Sequence, residues 1–210
     1  MFTGIVNEIG AVRRIEAAGD IYKLEVSCSS VSSAAGIGDS ICVNGACLTV
    51  TQKAGGALCF DVMAETVRRT TLADLRSGSA VNLESSLRAG GGLDGHFVLG
   101  HVDCVGTVQR IEKKLDDFMM RIAIPGGFDH LVVEKGSVAI DGVSLTAGEA
   151  LEKAFSVYLI PHTLKETTLG SKKSGSSVNI EFDIIGKYIA KLNAAARPGI
   201  TEDFLRSRGF

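Results

Sequence analysis

A thiol, a hydroxyl, an imidazole and a carboxylate can attack carbon centres or move protons, and Cys47, Ser144, His101 and Asp183 supply one of each. Cys47 stands in Asn44-Gly45-Ala46-Cys47-Leu48-Thr49, and Ser144 in Asp141-Gly142-Val143-Ser144-Leu145-Thr146. Two small nucleophiles thus follow two nearly identical turns, and each is followed by Leu and Thr, which suggests two similar pockets. Further mismatches fall at matched positions: Ile5 with His101, Ser86 with Asp183, Glu65 with His162, and Asp39 with Gly136. Matched residues would bind, and mismatched ones would make the pockets differ. Singly, each has a plain structural reading. Cys47 is a core thiol, Ser144 a turn residue, and His101 a strand histidine bonded to a carbonyl. Asp183 is an N-cap for the segment after it, and Lys135, in Glu134-Lys135-Gly136, is a solvated turn lysine. Joint occurrence at equivalent places is what raises them above those readings.

The elements that must position these side chains come from a chain that nearly repeats itself. At an offset of 96, Gly4, Val6, Gly10, Val12, Arg14, Ile15 and Glu16 match Gly100, Val102, Gly106, Val108, Arg110, Ile111 and Glu112. At an offset of 97, Gly45, Leu48 and Thr49 match Gly142, Leu145 and Thr146, and Thr70, Thr71 and Leu72 match Thr167, Thr168 and Leu169. A period this long is a duplicated domain rather than a solenoid unit. Apolar or alternating runs at 11–15, 22–26, 40–43, 47–51, 58–63 and 81–84 predict strands, repeated at 107–111, 118–124, 137–140, 144–146, 155–160 and 178–182. Each copy therefore predicts a small closed all-β barrel. One short helical turn is expected within each of 71–77 and 168–174, and Gly90-Gly91-Gly92 marks the linker. Ile185, Tyr188, Ile189, Leu192 and Ala196 then fall at helical spacing up to Pro198. That C-terminal α-helix packs across its own barrel or lies in a subunit interface.

The obvious cofactor machinery is missing. There is no G-x-G-x-x-G after a strand and no P-loop. Cys28, Cys42, Cys47, Cys59 and Cys104 are odd in number, form no C-x-x-C and sit among apolar residues, as reduced thiols do. His96 and His101 are five apart, not the four that align two ligands on a helix face, so no metal site is expected. Chemistry must come from side chains or from the substrate itself. With 22 Lys+Arg against 24 Asp+Glu, the chain has no basic field for nucleic acid or an anionic membrane. No run of about 18 apolar residues occurs, and Met1–Val6 lacks the pattern of a signal peptide, so a cytoplasmic protein is expected.

Five segments together carry a resemblance: Met1-Phe2-Thr3-Gly4-Ile5-Val6, Val43–Val50, Gly95-His96-Phe97-Val98-Leu99-Gly100-His101-Val102, Ile140–Thr146, and Ile160-Pro161-His162-Thr163-Leu164. They are similar to those of the riboflavin synthases, whose lumazine-binding domain is duplicated, and the likeness spans nearly the whole chain. It implies two tandem six-stranded Greek-key barrels, at 1–96 and 97–185, and a trimerisation tail at 186–210. The implied reaction is dismutation of two molecules of 6,7-dimethyl-8-ribityllumazine without a cofactor, which suits two similar pockets with different neighbours. The resemblance assigns Gly4, Ile5, Val6, Cys47, Leu48, Thr49, Asp61, Val62, Met63, Ala64, Glu65 and Thr66 to the amino-terminal pocket. It assigns Gly100, His101, Val102, Lys135, Ser144, Leu145, Thr146, Tyr158, Leu159, Ile160, Pro161, His162 and Thr163 to the carboxy-terminal one. Phe2, Cys47, His101, Ser144 and Asp183 would lie near the reacting pair, between the first barrel of one subunit and the second of another. Lumazine synthase is a further partner the resemblance raises. Non-catalytic lumazine- or flavin-binding proteins of luminescent bacteria resemble the same duplicated barrels; retention of those five residues favours the enzyme.

Overall fold

Two dipeptides that accept left-handed backbone set the frame. Asn44-Gly45 (φ 45° and 85°) and Asp141-Gly142 (φ 45° and 78°) close two-residue hairpins, the turn geometry whose twist matches that of paired strands. The structure is a computed structural model and describes residues 1–114, 117–195 and 202–209. Around the first hairpin run β1 (Glu8–Ala18), β2 (Ile21–Ser27), β3 (Ser40–Val43), β4 (Ala46–Ala54), β5 (Ala57–Met63) and β6 (Ala80–Ser85). Around the second run β7 (Cys104–Lys114), β8 (Asp117–Ala123), β9 (Ser137–Ile140), β10 (Val143–Leu151), β11 (Ala154–Leu159) and β12 (Ser177–Phe182). Both sets close into antiparallel barrels, ordered β1-β2-β5-β4-β3-β6 and β7-β8-β11-β10-β9-β12. The expected duplicated Greek-key barrels are therefore present.

The twist that closure needs is concentrated at bulges, between Val12 and Arg14, Val50 and Gln52, Val108 and Arg110, and Ala147 and Ala150. Alternation then fills each barrel. Leu24, Val26, Ile41, Leu48, Val50, Phe60 and Leu83 build one core, and Val108, Met120, Ile122, Ile140, Phe155, Val157 and Ile180 build the other.

Short helices connect the strands, α1 (Ser30–Ala34), α2 (Ala64–Arg69) and α3 (Pro161–Glu166), with Val31 and Val67 packed into the first core and Leu164 against the second. Each is too brief to leave a helical period, and the sequence reading did not foresee them. The expected helical turns are 3₁₀ turns at Thr71–Asp74 and Thr168–Ser171, whose Thr70 and Thr167 hydroxyls accept the N–H of Leu72 and Leu169 at 3.3 Å each. The tail helix α4 (Ile184–Ala195) is capped by Asp183, which accepts the Ile185 N–H at 3.0 Å. Its stripe Ile185, Tyr188, Ile189 and Leu192 is 53–68% exposed, so the apolar face does not pack across its own barrel. Ala196 and Pro198 lie outside the described residues, and α5 (Glu202–Ser207) follows.

A polar lock joins the barrels. Asn82 on β6 donates to the Asp141 carbonyl (2.9 Å) and accepts the Thr168 N–H (2.7 Å). Asn179 on β12 mirrors it, donating to the Asn44 carbonyl and accepting the Thr71 N–H, both at 2.7 Å. Beside this lock Phe2, Cys42, Val98 and Ala139 form a small apolar seam. Asn82→Ala or Asn179→Ala strands two buried backbone groups at about 1–3 kcal/mol each. Urea unfolding of either variant should show a loss of about 2–6 kcal/mol, whereas Asn7→Ala, at an exposed bond to Ser85, should cost about 1 kcal/mol or less.

Candidate active site

Two buried carboxylates hold two short straps. Glu84 on β6 accepts the N–H groups of Thr3 (2.6 Å) and Gly4 (2.9 Å) and the Thr3 hydroxyl (2.7 Å). Glu181 on β12 accepts the N–H groups of Leu99 (2.7 Å), Gly100 (2.9 Å) and His101 (3.1 Å). Burial pushes both acids above the ordinary carboxylate range, and these donated hydrogen bonds oppose it. Each strap then reaches across the seam. The Gly4 carbonyl accepts the Ser144 N–H at 2.8 Å, and the Gly100 carbonyl accepts the Cys47 N–H at 2.9 Å. Both glycines have positive φ, 80° and 79°, and a Cβ on either would lie 2.5 Å from the Cβ of Ser144 or Cys47. Only glycine brings the strap that close.

This crossing corrects the grouping drawn from the sequence. Gly4, Ile5 and Val6 lie on the second barrel, where Val6 packs on its core, and Gly100, His101 and Val102 lie on the first. A similarity between repeats says which segments are equivalent, and not which barrel each one covers.

The cleft at the second barrel measures about 730 Å³ and is lined by Lys135, Ser144, Leu145, Thr146, Tyr158, Ile160 and Thr163, together with Asp94, Gly95 and Glu134. Lys135 holds a left-handed backbone (φ 65°) where the first barrel has Gly38 (φ 90°), so a lysine is kept at a position that a glycine fits without strain. The counterpart at the first barrel is smaller, about 200 Å³, and is lined by Ala46, Cys47, Glu65, Thr66, Arg69, Thr70, Gly100, His101 and Val102. Arg68 and then Arg69 hold the Glu65 carboxyl below its usual range. The second barrel has His162, Lys165 and Glu166 at the equivalent places.

Other expected site residues fall elsewhere. Leu48, Val62 and Leu159 point into the barrel cores. Asp61 is exposed and paired with Lys23 at 2.6 Å. Met63, Pro161 and His162 are exposed and Ala64 is half-buried, none of them lining either cleft. Phe2 is fully buried against Cys42, Val98 and Ala139 and bridges to Val98, so its ring seats the strap and does not face a cleft.

One group was missed. His96 Nδ1 lies 2.7 Å from Ser144 Oγ, the ring is 8% exposed, and Nε2 has no hydrogen-bond partner. Burial holds its pKa below the ordinary value, opposed by the Asp183 carboxylate. Ser144 lines the larger cleft, His96 contacts it without lining the cleft, and the Asp183 carboxylate is near enough to act on the imidazole through its charge. Spacing to neighbouring ligands says nothing of His96, because its partner lies 48 residues away, across the fold.

The lumazine-binding domain family matches twice, at residues 3–86 and 99–183. A riboflavin synthase of Actinobacillus pleuropneumoniae is 42% identical over 215 aligned positions that cover all of both chains. One of Mycobacterium bovis is 44% identical over 200 positions, covering 93% of this chain and all of that one. Among solved structures, LumP complexed with 6,7-dimethyl-8-(1'-D-ribityl) lumazine superposes with a TM-score of 0.78 at 26% identity, covering 87% of this chain and 99% of LumP.

His96 gives a pH test that is independent of these likenesses. A depressed native pKa means that the unfolded chain binds more protons just below pH 6.5, so stability falls as pH drops through that range. Denaturant titrations at stepped pH should show that loss in the parent chain and a flatter limb in His96→Gln; identical limbs would mean that His96 is not the group responsible.

Proposed function

This chain belongs to the lumazine-binding domain family and, within it, to the riboflavin synthases, and from that premise we propose how its two clefts divide one reaction. The enzyme dismutates 6,7-dimethyl-8-ribityllumazine: one molecule gives a four-carbon unit to another, yielding riboflavin and 5-amino-6-(D-ribitylamino)uracil. The observation that carries the division is a pair of equivalent clefts with unequal groups, Cys47 and His101 at one and Ser144 and His96 at the other. One reactant occupies each cleft. Thr66 at the smaller cleft and Thr163 at the larger one bind what the two molecules share, Thr146 adds to the larger cleft where its counterpart Thr49 lies outside the smaller, and Lys135 acts only at the second. His96 exchanges a proton with Ser144 Oγ beside the bound ring, and Asp183 steadies the charged imidazole. The lumazine ring stabilises its own C7-methyl carbanion, so no cofactor is required.

The assembly reading follows from the exposed stripe on α4. We assign residues 1–96 and 97–185 to two lumazine-binding domains and 186–210 to a trimerisation tail. The first barrel of one subunit faces the second barrel of another, in a cytoplasmic homotrimer supplied with substrate by lumazine synthase. LumP shares the barrels at 26% identity, whereas the synthases match at 42% over the full chain, and the His96–Ser144 contact supplies the larger cleft with a pair able to exchange a proton.

Aligning two reactants supplies about 7–11 kcal/mol of barrier lowering, against about 3–5 kcal/mol from one general acid or base. Incubation with the lumazine alone should give riboflavin and the pyrimidine in equal amounts, with chelators having no effect; binding without turnover would refute the enzyme reading. In single-turnover measurements at saturating ligand, Cys47→Ser and His101→Gln should slow the reaction less than deletion of Met1–Thr3, which unseats the strap over Ser144. The reverse order would favour side-chain chemistry over positioning.

Truncation after Gly186 removes most of the apolar stripe. The shortened chain should sediment as a monomer, keep ligand binding and lose nearly all turnover. An intact trimer would overturn the role given to the tail.

A further inference from the structure

The β3–β4 hairpin holds a second feature, which touches the smaller cleft through Cys47 but is built on the pairing of two strands. Cys42 on β3 is the cross-strand partner of Cys47 on β4. The two-residue turn makes Val43 and Ala46 the hydrogen-bonded pair that closes the hairpin, so the next pair outward, Cys42 and Cys47, is a non-hydrogen-bonded one. The Cys47 N–H confirms this, because it leaves the ladder to donate to the Gly100 carbonyl at 2.9 Å. Residues so paired carry their side chains on the same face of the sheet, with Cα atoms about 4.5 Å apart, inside the window of about 4.4–6.8 Å that a disulfide spans. Both thiols are on the outer face of the first barrel, Cys42 buried in the seam and Cys47 half-buried against it and lining the smaller cleft.

The other cysteines have no such neighbour. Cys59 faces Glu25 and Gln52 across its strands, and Cys104 faces Ile180. At the equivalent positions of the second barrel stand Ala139 and Ser144, also cross-strand partners, so the frame itself does not require sulfur. All five cysteines are reduced in this structure.

We propose that Cys42 and Cys47 form a redox modification site, closing into a reversible cross-strand disulfide when the protein meets a peroxide. Cys47 Sγ attacks one peroxide oxygen, the O–O bond breaks, and water leaves, giving the sulfenic acid. Cys42 Sγ then attacks the Cys47 sulfur, the S–O bond breaks, and its oxygen departs with the Cys42 proton as a second water. Two thiols and one peroxide become one disulfide and two waters; sulfur is oxidised and the peroxide reduced. Closure turns Cys47 Sγ from the cleft toward the seam. Its effect on turnover rests on the functional reading above, whereas the cross-link itself does not.

The test uses the full chain with dilute hydrogen peroxide, followed by alkylation and non-reducing mass spectrometry. Peptide 24–53 should lose two hydrogens, with Cys42 and Cys47 protected from alkylation and Cys28 alkylated. Turnover should fall with the same time course and return on addition of a dithiol. Cys42→Ala places at this position the residue already present at Ala139; it should keep basal activity and still be inactivated by peroxide, but recover little with the dithiol because Cys47 proceeds to the sulfinic acid. Cys42 remaining alkylatable while Cys47 is oxidised, or Cys42→Ala recovering as fully as the parent chain, would overturn the proposal. A cross-link that forms without loss of turnover would refute its regulatory half and the placing of Cys47 at the first cleft, leaving the disulfide standing.

Discussion

Glu84 and Glu181 are nearly fully buried; among the described residues neither carboxylate has a cationic side chain within ion-pair distance, and the hydrogen bonds they accept come from two straps, chiefly from backbone N–H groups with the Thr3 hydroxyl beside them, while Lys187 lowers the Glu181 acid through its charge. A buried carboxylate is tolerable only while such donors surround it. The requirement therefore runs both ways: the acids fix the straps, and the straps are the condition for burying the acids. Because each strap also crosses to the other barrel, satisfying these carboxylates brings Gly4 against Ser144 and Gly100 against Cys47, and so builds one wall of each cleft.

On this symmetric frame the differences are few and local. In the second barrel Asp141 is fully buried and paired with Lys172 at 2.6 Å, where the first has Asn44 and Leu75. Burial pushes the Asp141 acid up and Lys172 pulls it back. The same backbone turn is thus supported once by an amide and once by an ion pair, an exchange that costs little when all partners change together. Lys135 in place of a glycine, and His96 near Asp183, fall on the same barrel. The larger, more polar cleft and the altered residues coincide, while the first barrel keeps a tighter cleft walled by Glu65 and Arg69.

The barrels were legible because their causes are local. Alternation, the Asn-Gly and Asp-Gly turns and the repeat each leave a mark in adjacent residues, and all twelve strands appear where the alternation placed them. The helices α1, α2 and α3, at five or six residues each, are held by what they cover and leave no periodic mark. The site was half legible for the same reason. Ser144 and Cys47 announce themselves by following their turns, but His96 becomes informative only when β10 brings Ser144 to it. Which barrel Gly4 and Gly100 cover depends on contacts between residues more than 50 apart, and no pattern along the chain records that.

The crossing of the straps also bears on how such a chain could arise. Every contact of the polar lock occurs twice with the two barrels exchanged, so the surface that one copy presents is complementary to itself. A self-complementary surface on a single-barrel ancestor would join two identical molecules about a twofold axis, each lending its strap to the other. Fusing the two genes would then need no new interface, only a tether such as the exposed stretch around Gly90-Gly91-Gly92. Once joined, the halves were free to diverge one residue at a time, because a change in one no longer appeared in its mate.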